Sequence, residues 1–177
     1  MDNVNGVVDL GGGIRPFDQC NFRIVIDITT EEGEFDDGIP TVFIEHDLTH
    51  PLSEEQLNII KEYSDKIDLI NMSLLLSDVV TSWLDLIEDG DDIELISEWY
   101  LNASREIVAN ILRILRICNK CRRIRIVDNL FNIAVPLEML LLIEGFRITS
   151  VKLLETYMDD RLLGDFEIIL EWNKTRA

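Results

Sequence analysis

Two histidines, three cysteines and a short arginine-rich stretch are the residues of this 177-residue chain whose spacing invites chemistry. His46-Asp47-Leu48-Thr49-His50 repeats the histidine spacing of a zinc-protease helix, with Asp47 in place of the glutamate base. That chemistry needs both imidazoles on one helical face. Here they follow a strand-like run and precede Pro51, which disfavours helical backbone at His50, so a solvent-facing loop is expected and a zinc-dependent enzyme is the lesser alternative. Cys118-Asn119-Lys120-Cys121 has the spacing of half a zinc site or of a redox pair. The other ligand types, Cys20 and the histidines, are distant in sequence, and the pair closes a helix instead of opening one. Both cysteines therefore read as small residues at a helix end. Gly11-Gly12-Gly13 lacks the spacing and the lysine of a phosphate loop and reads as a source of flexibility. No serine sits in the tight glycine turn of a hydrolase nucleophile. These observations predict no catalytic residue, no metal and no cofactor, and a chain that is not an enzyme.

Arg113, Arg116, Lys120, Arg122, Arg123 and Arg125 form the one cationic concentration in a chain with 16 basic against 34 acidic residues and a net charge of −18. A field of that sign repels phosphate backbones and anionic lipid surfaces, so neither nucleic acid nor membrane is expected as a partner. The arginines then read as a solvated face that neutralises acidic segments of this chain or of a protein partner. Three cysteines are too few for a disulfide framework, and Met1 to Gly6 lacks the character of a signal peptide. A cytoplasmic or nuclear location is the expectation.

The elements that would hold these residues follow from periodicity. Residues 1–21, with four glycines and Pro16, read as a flexible N-terminal arm, and 22–177 as one domain, in which 22–66 is an added strand and helix element. Phe22, Ile24, Ile26 and Ile28 alternate with polar residues as in a strand with one buried face, and Thr41 to Glu45 reads as a second strand, joined to the first by an acidic hairpin loop. Ser53-Glu54-Glu55-Gln56 has capping-box form and opens a helix to about Tyr63. A strand at Ile67 and Leu69, a helix from Leu76 to Ile87 and a strand from Ile93 to Trp99 follow. Asn102 is expected to cap a helix bearing Ile107, Ile111, Ile114 and Leu115, and Arg123 to Ile126 reads as an edge strand. The rest reads as helices: one from Pro136 to Ile143, one capped by Ser150, and one over Phe166 to Trp172.

From Ile67 onward this order resembles the BTB/POZ superfamily, in its adaptor branch. Tyr100 to Leu112 is similar to that family's passage from strand to helix, Ile133 to Ile143 resembles the leucine-rich late helix of elongin C, and Glu144 to Leu154 resembles the turn and helix of the SCF ubiquitin-ligase adaptor. Glu144 and Gly145 stand where that adaptor has an asparagine and a tyrosine. The resemblance implies an α+β, BTB/POZ-like fold with a small sheet and a cluster of helices. It implies a non-catalytic adaptor linking a substrate-receptor box protein to a cullin-type ubiquitin ligase, or alternatively a self-associating module or a mimic that sequesters partners. The partner-binding surface it implies comprises Val151, Leu154, Met158, Phe166, Ile169 and Trp172 on C-terminal helices, with Arg122, Arg123 and Arg125 as a second surface of complementary charge.

Overall fold

The computed structural model describes residues 4–12, 16–28, 37–73, 93–128, 140–142, 144–155 and 166–175. Seven strands make one sheet: β1 (Val4–Leu10), β2 (Cys20–Asp27), β3 (Thr41–Glu45), β4 (Ile67–Met72), β5 (Arg123–Asp128), β6 (Phe146–Glu155) and β7 (Phe166–Lys174). Their spatial order is β3-β2-β1-β4-β5-β7-β6. The strands β1 to β5 pair in parallel, while β7 runs antiparallel to both β5 and β6. Two helices are described at length, α1 (Glu54–Glu62) and α2 (Ile93–Ile117), with a 3-10 turn at Ser64–Lys66.

Parallel strands are buried on both faces and so carry near-continuous apolar runs. Val7, Val8 and Leu10 on β1 and Ile24, Val25 and Ile26 on β2 are all fully buried. At roughly 1.5–3 kcal/mol for each large side chain removed from water, this central pair anchors the sheet. One face packs Val8, Leu10, Ile24, Ile26, Ile70, Met72, Ile124, Ile126 and Trp172 against Ile107, Ile111 and Ile114 of α2 and Ile60 of α1. The opposite face has a smaller cluster, Val4, Val7, Cys20 and Leu69, covered by Phe17 and Ile39 from loops.

Among the described residues, loops cover that second face, where the crossovers are short. The connection from β1 to β2 runs only from Gly11 to Gln19, below the length that a crossover containing a helix requires. Arg23 holds the loops in place of a helix. Fully buried on β2, it donates from Nε to Thr41 Oγ1, from Nη1 to the Phe17 carbonyl, and from Nη1 and Nη2 to the two Asp37 oxygens at 2.8 and 3.0 Å.

Several expectations fail here. Val4–Leu10 is an interior strand of the sheet, paired on both sides, and no flexible arm. The strands β2 and β3 are parallel, so no hairpin joins them. Ile93 to Trp99 and Asn102 belong to one 25-residue helix that continues through Ile117. Arg123–Asp128 lies between β4 and β7 instead of at an edge, because its arginines find polar partners on one face while Ile124 and Ile126 enter the core on the other. Ser150 and Phe166 to Trp172 are in strands, not helices. The mixed seven-stranded sheet, parallel through β1 to β5, excludes the BTB/POZ-like fold with its small sheet and helical cluster. The helix expected from Leu76 to Ile87, and most of that from Pro136, lie outside the described residues.

Candidate functional site

In an open parallel sheet, the crevice outside the carboxyl ends of the strands, where the strand order reverses, is where ligands bind. Here the reversal falls between β1 and β4. The residues at that point are Asp9 and Leu10 at the end of β1, the Gly11-Gly12 turn, and Asn71, Met72 and Ser73 at the end of β4.

Asp9 organises the turn. Its carboxylate is buried, and Oδ2 accepts the Phe17 backbone N–H at 2.7 Å while Oδ1 accepts from Asn71 Nδ2 at 3.0 Å. Burial pushes its pKa above the ordinary carboxylate value, against the lowering by these two hydrogen bonds. Gly11 takes a positive φ of 82°, and a Cβ on Gly12 would collide with the Asp9 carboxylate. Both positions thus need glycine for a stated geometric reason. Asn71 passes the polarity on, its Oδ1 accepting from Arg125 Nη1 at 2.8 Å, and Arg125 Nε stands 3.9 Å from Glu171. Asp9, Asn71, Arg125 and Glu171 are register partners across β1, β4, β5 and β7, so they form one transverse row on the face opposite α2. Burial lowers the Arg125 pKa from its usual value, partly countered by Glu171 and Asp9.

Asp27 closes β2 at the same edge, eighteen residues after Asp9, and is half-buried, with Oδ1 accepting from the Ile28 N–H at 2.6 Å. An acidic residue about twenty positions beyond such a glycine turn is the group that meets a ribose hydroxyl in nucleotide-binding α/β sheets. The loop after β3 borders the same edge. It is fixed by Asn110 of α2, whose Nδ2 donates to the carbonyls of Leu48 and His50 and whose Oδ1 accepts the Leu52 N–H at 3.1 Å.

That loop accounts for the histidine pair. His46 Nε2 lies 2.9 Å from the His50 carbonyl, and the His50 side chain is 72% exposed. No group of three or more His, Cys, Asp or Glu side chains able to hold a metal occurs among the described residues. Cys118 and Cys121 are buried, with thiol pKa values pushed by burial to about 12, opposite to what a redox or metal-binding thiolate requires.

The residues assigned to partner binding are dispersed. Val151 is exposed on β6, Leu154 lies on β6 and Phe166 on β7, Ile169 is half-buried, and Trp172 is buried against the helices. Met158 lies outside the described residues. Arg122 is exposed, whereas Arg123 and Arg125 flank Glu171 at 3.9 Å. The expected cation face is also divided, with Arg113 paired to Glu106 and Lys120 to Asp65.

Sequence reasoning missed Asp9 and Asp27. The available signal was a valine pair running into Asp9-Leu10-Gly11-Gly12-Gly13 and followed by a second apolar strand ending in Asp27. Reading Gly11 to Gly13 as flexible hid it.

No protein-family model and no curated protein matches the sequence. Solved structures do resemble the fold. The Bacillus subtilis m1A22 tRNA methyltransferase TrmK superposes with a TM-score of 0.58 at 14% identity, over 98% of this chain and 61% of that one. Streptococcus pneumoniae Sp1610, named as a candidate tRNA (m1A22) methyltransferase and solved with S-adenosyl-L-methionine, gives 0.52 at 14%, over 98% of this chain and 70% of its own. A TehB-like SAM-dependent methyltransferase from Corynebacterium glutamicum gives 0.51 at 13%, over 99% and 82%. Likeness at this identity establishes a Rossmann-like, methyltransferase-type fold. The resemblance to elongin C and the SCF adaptor is thereby overturned, and with it the non-catalytic adaptor and its cullin and receptor-box partners. The expectations that the chain is no enzyme and has no nucleic-acid partner lose their ground as well, because two of the chains that share this fold are named as tRNA methyltransferases.

Proposed function

We propose that this chain is an S-adenosyl-L-methionine-dependent methyltransferase acting on RNA. The observation that carries the reading is the strand order β3-β2-β1-β4-β5-β7-β6 with β7 reversed, which sets a glycine turn and two strand-terminal acids around one switch point. The residues fit the cofactor. The Gly11-Gly12 turn, stripped of side chains and braced by Asp9, leaves its backbone open to close approach, and the half-buried Asp27 carboxylate stands at the same edge, where a ribose would lie. When bound, S-adenosyl-L-methionine supplies an electrophilic methyl group on a sulfonium.

The chain's own residues orient and shield. Asp9 keeps the turn in one conformation through Phe17, Asn71 fixes the end of β4 facing it, and the Asn110-tied loop after β3 borders the same crevice. RNA as acceptor is supported by two fold neighbours that are named as tRNA methyltransferases. The test is equilibrium dialysis with radiolabelled S-adenosyl-L-methionine, followed by methyl transfer to bulk RNA. Saturable binding that Asp27→Ala weakens at least tenfold is expected, since a hydrogen bond to a charged group is worth about 1.5–3 kcal/mol and about 1.4 kcal/mol is a factor of ten. Absence of saturable binding overturns the proposal.

A further inference from the structure

On the face opposite α2, the far half of the sheet presents charged side chains where the near half is closed by loops. By register, Arg123 and Arg125 on β5 share that face with Glu171 and Asn173 on β7 and with Ser150 and Lys152 on β6. Two residues apart on a strand, the arginines are spaced by about 6.6 Å. Arg123 Nη2 and Arg125 Nε each stand 3.9 Å from the single Glu171 carboxylate, beyond the 2.7–2.9 Å of a strong charged hydrogen bond, so two guanidinium groups share one acid loosely. Lys152 is exposed beside them. A cavity of about 340 Å³ opens here, floored by Arg125, Lys152, Ile169 and Glu171 and walled by Phe17, Asp18 and Gln19 of the loop between β1 and β2.

We propose that this strip seats the phosphate backbone of single-stranded RNA, with Arg123, Arg125 and Lys152 on successive phosphates. The inference rests on the proposed RNA methyltransferase reading for its ligand and on charge for its location. In a chain of net charge −18, a strip that sets Arg123, Arg125 and Lys152 around Glu171, with Asp18 on the cavity wall and Glu167 further along β7, still gathers cations where a polyanion can meet them. It lies on the same transverse row as Asp9, so RNA held there is connected through Arg125 and Asn71 to the turn at the proposed cofactor crevice.

The experiment is fluorescence anisotropy of a labelled single-stranded RNA titrated with the full chain at several salt concentrations, beside dialysis with S-adenosyl-L-methionine. Three phosphate contacts predict a slope of about −2 in log affinity against log salt, at roughly 0.7 for each contact to a single strand. The double variant Arg123→Glu, Lys152→Glu is expected to bring the slope to about −0.7 and to weaken binding at low salt at least tenfold, with cofactor affinity unchanged. Arg123→Gln, Lys152→Gln, which removes charge without reversing it, gives the same direction if the reversed variant folds poorly. Undetectable RNA binding at low salt, or variants that bind as the parent does, overturns the strip. Displacement by poly-glutamate as readily as by unlabelled RNA also overturns it, in favour of an acidic protein partner. Salt-dependent RNA binding without cofactor binding sustains the strip and removes the methyltransferase reading; cofactor binding without RNA binding does the reverse.

Discussion

Exchanging Asp9 and Asn71 tests the transverse row directly. The row has a direction: Arg125 donates to Asn71, Asn71 donates to Asp9, and the Phe17 N–H donates to the remaining Asp9 oxygen. Asp9→Asn leaves one carbonyl for two donors, so either Phe17 N–H or Asn71 Nδ2 faces an amide NH₂. Turning Asn71 over only moves the conflict to Arg125. The loss of one hydrogen bond to a charged group, about 1.5–3 kcal/mol, is partly offset because a buried carboxylate is removed, giving a net cost of roughly 2 kcal/mol. Asn71→Asp alone sets two carboxylates against each other and is expected to cost at least as much near neutral pH. The double variant Asp9→Asn, Asn71→Asp satisfies every group again: the amide now at the end of β1 accepts from Phe17 and donates to the carboxylate now on β4, which in turn accepts from Arg125. Urea unfolding followed by circular dichroism is the assay. With a slope of about 2 kcal/mol/M, each single change lowers the midpoint by roughly 1 M, and the swap recovers most of it. Additive losses in the double variant would refute the reasoning.

Three further outcomes follow from groups described above. Asn110→Leu strands the Leu48 carbonyl and the Leu52 N–H, while the His50 carbonyl keeps its contact with His46, and at about 1–3 kcal/mol for each buried unsatisfied group the expected loss is at least about 2 kcal/mol, with faster proteolysis in the loop after β3. Hydrogen bonding to Arg23 holds the Asp37 carboxyl below its ordinary pKa of 3.8, so its stabilising effect is present above that value and is lost as pH falls through the lower folded pKa; thermal melts of the parent and Asp37→Asn should converge on acidification and diverge toward neutrality. Burial pushes the thiols of Cys20 to about 11 and of Cys118 and Cys121 to about 12, so a disulfide reagent at pH 8 should modify them only upon unfolding.

Parts of this fold were legible from local chemistry. The capping box at Ser53 and Gln56 forms as expected, with both of its hydrogen bonds present, and Thr41–Glu45 and Ile67–Met72 are strands. The stripe of Ile107, Ile111 and Ile114 does face the core. Failures fall where local pattern and tertiary role diverge. On β6, Val151 and Leu154 lie in a regularly paired stretch beyond the register shift at Ile148 and Ser150, and their three-residue spacing coincides with that of a helix although a strand puts them on opposite faces. On β7, Ile168-Ile169-Leu170 is a continuous apolar run, which does not distinguish strand from helix. Arginines on β5 suggested an edge because their partners, Asn71 and Glu171, stand 54 and 46 residues away, beyond the reach of any local pattern. The glycines at the end of β1 were misread for the same reason, as the carboxylate that demands them is itself held by Asn71.

The central position of β1 also bears on the order of folding. Residues from β1 to β3 can pair among themselves soon after synthesis, but the second neighbour of β1 is β4, and the contact that joins Asp9 to Asn71 spans 62 residues. Pairings of such range form late, because loop-closure entropy must be met before they contribute. The crevice therefore does not exist until β4 has been made, and it comes into being only when β4 closes on β1 and joins the two halves of the sheet. Any ligand of that crevice binds the closed sheet alone, and by mass action it stabilises the whole domain against separation of its halves and not merely the loops that it touches.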